Sequence, residues 1–337
     1  MMRIVALPTD EAQARFERLP AALRIASLSP AFAAADTRRD PALRCVHAVL
    51  EGGQAEWIHS VHLLPLGGQA GAWGATSPYG YGGPVTPATD PAFLAQAWSA
   101  WQTWCRHEGV LAEFCRFHPH APAACRAFGG TVKENRLTVS VDLTVPDATA
   151  GFNSLTRRKI RRTQQTGVQA RWSREVADWT HYAGFYRQAM QDLQAAPFYF
   201  FPDAYFEALS RLPCAHLLIC EREGRCLSAG VYLLEEGGVL EYHLGASSPE
   251  GKDAGTPSLL QAQAAAWGQA QSAHSLYLAG GTDTSADNPL LFYKLGFSRR
   301  TLPFSVGQAV HDDNRYWATA ARLGFSPDHP PPRLLLD

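Results

Sequence analysis

The chain has no uncharged apolar run of about 18 residues, so no segment reads as a membrane-spanning helix. The N-terminus offers only Ile4 to Leu7 before Pro8, too short for the apolar core of a signal peptide. The expected location is therefore cytoplasmic. No CxxC occurs among the seven cysteines: Cys105, Cys115 and Cys125 are ten apart, and Cys214, Cys220 and Cys226 six apart. An odd count without a secretion signal reads as reduced, mostly buried thiols. The twelve histidines form no HxxxH or HExxH, and His118-Pro119-His120 is the tightest pair, so no metal is expected. No GxSxG elbow is present and no cysteine is placed as a nucleophile, which argues against covalent catalysis. A formal net charge of −1 means that any attraction to a polyanion is local.

What is present is ample apolar material. With 337 residues, 46% apolar and 18% charged, the chain can fill about two packed domains. Residues 1–43 are weakly patterned. Arg44–Leu50 and Glu56–Leu66 read as strands, broken by Gly52-Gly53. SPYGYGGP (77–84) fits neither a helix nor a central strand. Its Tyr79 and Tyr81, spaced by one glycine, make either a stiff cover over a sheet edge or a wall for a substrate. Pro91–His107 reads as a helix whose Trp98, Trp101 and Trp104 form a core stripe. Leu111–Phe117 follows as a strand, Pro122–Phe128 as a short helix closed by Gly129-Gly130, and Thr131–Leu143 as another strand.

Asn153 to Gly167 reads as a helix, with Asn153 or Ser154 as its cap and Gly167 as its stop. Within it RRKIRR (157–162) sets Arg157 against Arg161 and Arg158 against Arg162 at i, i+4. Each like-charge pair costs an isolated helix about 0.2–0.5 kcal/mol. The face is either solvated and screened, or in contact with phosphates. Asp178–Leu193 and Pro202–Leu212 are helices around PFYFFP (197–202), a hydrophobic plug or pocket lip. Ala215–Cys220, Cys226–Leu234 and Val239–Gly245 alternate as strands. From Ser258, Leu260, Ala264 and Trp267 mark a helix, Ser275–Ala279 a strand, and Gly280-Gly281 a turn. Pro289–Leu295 is a short helix stopped by Gly296, and Ser298–Gln308 a returning strand. Helix 312–322 and a Pro330–Pro332 tail, expected to be mobile, close the chain.

Helix, strand, short helix, glycine, strand thus occurs at 91–143 and again at 257–308. The residues hardly match; the order does. An internal repeat of this kind governs the architecture. The second copy, with the strands before it, resembles the GNAT N-acyltransferase superfamily. LAGGTDTSADNPLLFYKLGFS (278–298) resembles its FemAB-like branch: a glycine pair, an Asp spacer, an apolar run, an aromatic-Lys pair and Gly-Phe. The resemblance implies an α/β (α+β) fold of two tandem GNAT-like modules, each a mixed, mostly antiparallel sheet flanked by helices. The expected modules are 1–150, structural or substrate-holding, and 151–311, carrying donor and active site, with 312–337 as C-terminal helix and tail. The first copy has Cys125-Arg126-Ala127-Phe128 where the second has its Lys.

The activity implied is N-acyl transfer of the GNAT type, with groups other than aminoacyl as the first expectation. An acyl or aminoacyl group would pass to a primary amine of a small molecule, amino sugar or peptide. The chemistry requires a neutral amine aimed at an ester or thioester carbonyl, donors for the oxyanion, and a proton for the leaving group. The resemblance sets Lys294 beside the reacting carbonyl or the donor phosphate; a Lys there also suits the end of a helix dipole. Tyr242 is the candidate proton donor, and Glu241 or His243 the candidate base; equally, Tyr242 is a buried residue with its hydroxyl bonded. Tyr79, Tyr81, Asp283 and Tyr293 are candidates for holding the acceptor, with an Asx turn as the plain alternative for Asp283. Arg157, Arg158, Arg161, Lys252, Gly255 and Thr256 are candidates for the donor's phosphates. Pro257 lacks an N–H where a pyrophosphate loop wants one, which weakens acyl-CoA and leaves aminoacyl-tRNA, through its acceptor end, as co-substrate. No tightly bound cofactor is expected. A peptidoglycan-bridge aminoacyltransferase is an alternative, weakened by Phe201 where that family has a basic residue. A binding module that has lost turnover is another.

Overall fold

A computed structural model describes residues 2–67, 71–281, 283–285 and 287–335. By contact the chain divides into unit 1, residues 1–135 and 304–337, and unit 2, residues 136–303.

Unit 1 opens with β1 (Arg3–Leu7), α1 (Thr9–Phe16) and α2 (Pro30–Asp36), followed by β2 (Arg44–Glu51), β3 (Ile58–Pro65) and β4 (Trp73–Thr76). Then come α3 (Pro91–Glu108), β5 (Val110–Arg116), α4 (Pro122–Ala127) and β6 (Thr131–Asp142). The Asp90 carboxylate caps α3 by accepting from Phe93 N at 3.0 Å, and Gly109 ends the helix at φ +76°. Trp98 and Trp101 of α3 pack on Val46, Val61 and Leu63 of the sheet, which makes the tryptophan stripe core as expected.

After β6 the chain builds α5 (Ser154–Gln164), β7 (Gln169–Ser173), α6 (Val176–Asp192) and α7 (Asp203–Ser210). β8 (Ala215–Arg222), β9 (Arg225–Leu233), β10 (Val239–Ser247), α8 (Pro249–Ala254) and α9 (Thr256–Ala270) follow. β11 (Ser275–Gly280), α10 (Pro289–Leu295), β12 (Thr301–Val310) and α11 (Asp313–Arg322) complete the order. In unit 2, Leu259, Leu260 and Ala264 of α9 and Ile160 of α5 close the core over Leu218, Leu240 and Leu276.

The strand order is β1-β2-β3-β4-β5-β12 in unit 1 and β7-β8-β9-β10-β11-β6 in unit 2. The two match position for position. Each holds one parallel neighbour pair, β4 with β5 and β10 with β11, among otherwise antiparallel partners. The tandem mixed, mostly antiparallel architecture is therefore as expected. The final strand of each repeat, however, pairs in the other unit: β12 with β5, and β6 with β11. Residues 136–150 accordingly fall in unit 2 and 304–311 in unit 1, away from the modules in which the linear order sets them. The tail is packed rather than loose, with Leu334 and Leu335 against a cluster of Leu66, Leu111 and Tyr316. Among the described residues no helix is long and apolar enough to cross a membrane.

Candidate active site

The parallel pairing of β10 with β11 covers Val239–Glu241 against Ser275–Tyr277. Beyond it β10 stays with β9 and β11 stays with β6, so the two strands part. Both carry an irregularity at that point, β10 between Tyr242 and Leu244 and β11 between Tyr277 and Ala279. Ala279, at the β11 irregularity, sits at φ +59°, a left-handed backbone that a non-glycine residue rarely adopts.

Gly280-Gly281 ends β11 in tight quarters. A Cβ on Gly280 would stand 2.7 Å from Leu137 O, and one on Gly281 2.5 Å from the Asn288 side chain. Asn288 is buried and caps α10 by accepting from Leu290 N at 3.0 Å and Leu291 N at 3.1 Å. The glycine pair thus lets the α10 cap seat against the strand end, which fixes where Lys294 points.

Lys294 is 6% exposed and donates from Nζ to Gly280 O at 2.7 Å. Burial holds its ammonium down from 10.5 to about 7. An amine in that range takes and gives protons near neutrality. Beside it in sequence, Tyr293 packs edge-on to Phe297, and burial followed by the charge of Tyr242 pushes its phenol up. Tyr293 and Tyr242 thus lie near each other, and Lys294 follows Tyr293 on α10.

Tyr242 lies over two glycines that face each other across β9 and β10. A Cβ on Gly245 would stand 1.6 Å from its hydroxyl, and one on Gly230 3.0 Å from its ring. Its hydroxyl bonds Gln261 of α9, and burial raises it to about 12. Gln261 Oε1 also accepts from the Tyr232 hydroxyl at 3.1 Å. Burial thus keeps the hydroxyl of Tyr242 protonated near neutrality, while the bond to Gln261 works the other way.

Glu241 points the other way by strand alternation. It is buried, and it stands near enough to Cys214 to add to the burial that raises that thiol to about 12. His243, at the irregularity, is bonded at Nε2 to the Tyr205 hydroxyl at 2.8 Å. Asp283 is exposed, and its Oδ1 accepts from Ser285 N at 2.8 Å, the Asx turn. Thr282 and Ala286, in the same spacer, lie outside the described residues.

The proposed phosphate residues gather on one side of unit 2. In α5 the buried face is Thr156, Ile160 and Thr163, leaving Arg157, Arg158, Lys159, Arg161 and Arg162 exposed. Thr163 Oγ1 donates to Ala254 O at 2.6 Å, which sets the basic helix against the α8–α9 turn. There Gly255 takes φ +78° and Lys252 is exposed. Thr256 is fully buried instead, its hydroxyl bonded to Ser228 and to Gly251 O, so it has nothing left for a ligand.

Tyr79 and Tyr81 belong to unit 1 and are half-buried. Tyr79 N donates to Asp36 Oδ2 at 2.8 Å, and Arg116 Nη2 holds Ser77 O and Pro78 O at 2.9 and 3.0 Å. Tyr81 packs edge-on to His118 at 4.6 Å. The loop is a clamped, stiff element. Phe201 is 1% exposed and stacks on Tyr186, so that end of PFYFFP is plug, while Phe198 and Phe200 are exposed.

Sequence reading missed a buried charge in unit 1. Glu113 of β5 accepts from His59 Nε2 at 2.6 Å, Trp101 Nε1 at 2.9 Å and His311 Nε2 at 3.3 Å. Burial alone would raise its carboxyl, but the two imidazoles overcome that and hold it well below the usual carboxylate range. A carboxylate inside an apolar strand, LAEFC, was the available signal.

No family model matches the sequence, and no curated protein matches it. Solved structures do. A crystal structure of FemX matches with TM-score 0.68 at 12% identity, covering 90% of this chain and 96% of that one. The C-terminal domain of a putative lysylphosphatidylglycerol synthetase from Agrobacterium fabrum matches at 0.58 with 14% identity, covering 94% and 95%. A tandem GNAT protein from the clavulanic acid biosynthesis pathway matches at 0.53 with 12% identity, covering 92% and 99%. The chain has the fold of the FemAB-like branch of the GNAT superfamily, two GNAT-like modules in tandem.

Proposed function

We propose that this protein is an N-acyltransferase. It moves an acyl or aminoacyl group from a phosphate-bearing donor onto a primary amine of a small molecule, amino sugar or peptide. The observation that carries the reading is Lys294: a buried amine with no counter-ion among the described residues, bonded to the end of β11 beyond the point where β10 and β11 part.

The amine nitrogen attacks the donor carbonyl, the carbonyl π electrons move to oxygen, and the tetrahedral oxyanion collapses with loss of thiolate or alkoxide. Lys294, as the ammonium, lowers the energy of that oxyanion. Tyr242 supplies the proton to the leaving group and recovers one from the amine through solvent. The exposed cations Arg157, Arg158, Arg161 and Lys252 hold the donor's phosphates at the side where α5 meets the α8–α9 turn. Gly255 permits that turn; Thr256 has a structural part only.

Both donor classes find support among the neighbours, one named for a lysyl-lipid synthesis and another described without AcCoA. Pro257 and the engaged Thr256 hydroxyl leave few N–H and O–H groups for a pyrophosphate, which favours aminoacyl-tRNA over acyl-CoA. The test has two arms. Thermal shift with acetyl-CoA, longer acyl-CoAs and free CoA reads the first donor, and release of aminoacyl groups from charged tRNA in the presence of candidate amines reads the second. Failure of both arms leaves a binding module and ends the transferase reading.

A further inference from the structure

The buried side chains of α9 are mostly apolar, among them Leu259, Leu260, Ala264 and Ala265, and Gln261 stands between them at 1% exposure. A buried amide is costly unless its hydrogen bonds are made, so a glutamine here has to be met by partners. Two phenols meet it. Tyr232 of β9 and Tyr242 of β10 stand directly opposite in the antiparallel register, with ring centroids 5.2 Å apart and planes inclined at 33°. Cross-strand partners share one face of the sheet. Gln261 Oε1 accepts from the Tyr232 hydroxyl at 3.1 Å, and the same side chain bonds the Tyr242 hydroxyl.

An amide has one accepting end and one donating end. Tyr232 is fully buried and spends its only proton on Oε1, which leaves the Nε2 end for Tyr242. The Tyr242 oxygen therefore accepts, and its own proton is not used on Gln261. The effects on that phenol agree: burial raises it to about 12, and the Gln261 bond opposes the rise, as a bond donated to a phenolate does. The neighbouring phenols Tyr232 and Tyr293 are held protonated, above all by burial. Of Tyr232, Gln261 and Tyr242, only Tyr242 is partly exposed, so its proton has water or a ligand to face. Gly245 leaves room for this arrangement, since a Cβ there would collide with the hydroxyl.

We propose that Gln261 is a positioning residue for the transfer: held by Tyr232, its N–H fixes the Tyr242 oxygen and turns the Tyr242 proton toward the leaving group of the donor. The inference rests on the reading that Tyr242 supplies that proton. As the carbonyl carbon releases sulfur or oxygen, the bonding pair leaves with that atom and takes the proton from Tyr242 Oη. The phenolate left behind keeps the Gln261 N–H, and a hydrogen bond to an anion is about twice as strong as a neutral one. It then regains a proton from the amine nitrogen through water. The amide contact is stronger during the step than before it, the condition for raising kcat.

The test has two readouts on the full chain. In the first, a difluorinated tyrosine replaces Tyr242; fluorine withdraws charge, so its phenol titrates lower than tyrosine and is followed by absorbance. Gln261→Met is expected to raise the midpoint by about one unit, tenfold in proton affinity. Tyr232→Phe frees the amide to turn and is expected to raise it less; it decides the matter where Gln261→Met does not fold. A midpoint that falls or stays in place means that Gln261 accepts from Tyr242, and overturns the proposal. The second readout is single-turnover transfer from the donor that the two-armed assay identifies. Gln261→Met is expected to lower kcat about tenfold with KM unchanged, and adding Tyr242→Phe to lower it no further than Tyr242→Phe alone. Losses that add independently, or a change in KM alone, assign Gln261 to packing and overturn the proposal. Transfer with the wrong sign of midpoint shift ends the role of Gln261 alone; the expected shift in a protein that transfers from neither donor ends the transferase reading.

Discussion

The Lys294→Met variant provides the sharpest test of the site's electrostatics. The ammonium sits in a buried position with one backbone carbonyl as partner, and its proton affinity falls from 10.5 to about 7. In the unfolded chain the same group titrates near 10.5, so the unfolded state binds more protons across the window between. Stability therefore rises with pH from about 7 toward 10.5, and the penalty is fully present below 7. Each tenfold in proton affinity is about 1.4 kcal/mol, so the full penalty is about 5 kcal/mol and about 2 kcal/mol of it disappears between pH 7 and 9. Methionine fills a similar volume, carries no charge and does not titrate. Urea unfolding of both proteins at pH 6, 7, 8 and 9 reads the difference, with other lysines cancelling between them. The free-energy gap is expected to be constant from pH 6 to 7 and to move by about 2 kcal/mol in favour of the lysine protein by pH 9. A gap that stays flat from 7 to 9 would mean that Lys294 is solvated or paired, and the account of the site would fall with it.

Gly245→Ala pushes a methyl to within 1.6 Å of the Tyr242 hydroxyl, and overpacking of this kind costs about 1–3 kcal/mol. Adding Tyr242→Phe should recover part of that loss, a non-additivity that a double-mutant cycle of unfolding free energies measures. Gly281→Ala displaces Asn288 from the α10 cap; a loss of about 0.5–2 kcal/mol and a larger fall in turnover are expected, read by melting and by single-turnover rates. Glu113→Gln turns one acceptor oxygen into a donor facing ring N–H groups and is expected to cost about 3–5 kcal/mol. Because the folded carboxyl is held below its ordinary 4.5, its contribution is present above that value and lost as pH falls through the folded one, so the variant should show a flatter acid limb in urea midpoints from pH 3 to 7.

Much of the scaffold was readable in the chain because it rests on local signals. Asn153 before RRKIRR caps α5 as its side-chain chemistry directs, and Gly-Pro punctuation with apolar spacing located α9, β11 and α10. The 278–298 pattern singles out Lys294 as a candidate, and its burial against Gly280 O is set by the fold. It does not disclose that Arg136 Nη1 donates to Gly281 O at 2.9 Å, because that contact exists only when β6 is laid beside β11. Thr256, a candidate for the donor's phosphates, and Glu241, a candidate base, are both buried, since a hydroxyl or carboxylate in sequence does not reveal which face its neighbours cover.

Periodicity and turn chemistry act within one or two turns of chain, so the sequence by itself determined the elements, their order and the repeat. The exchange of β6 and β12 between the repeats, the buried Glu113 with His59 and His311, and the bond of Lys294 to Gly280 O join residues that the linear order keeps apart. Such contacts are set by desolvation and strand register, which have no value until the sheet has formed, and so the tertiary structure alone decided them.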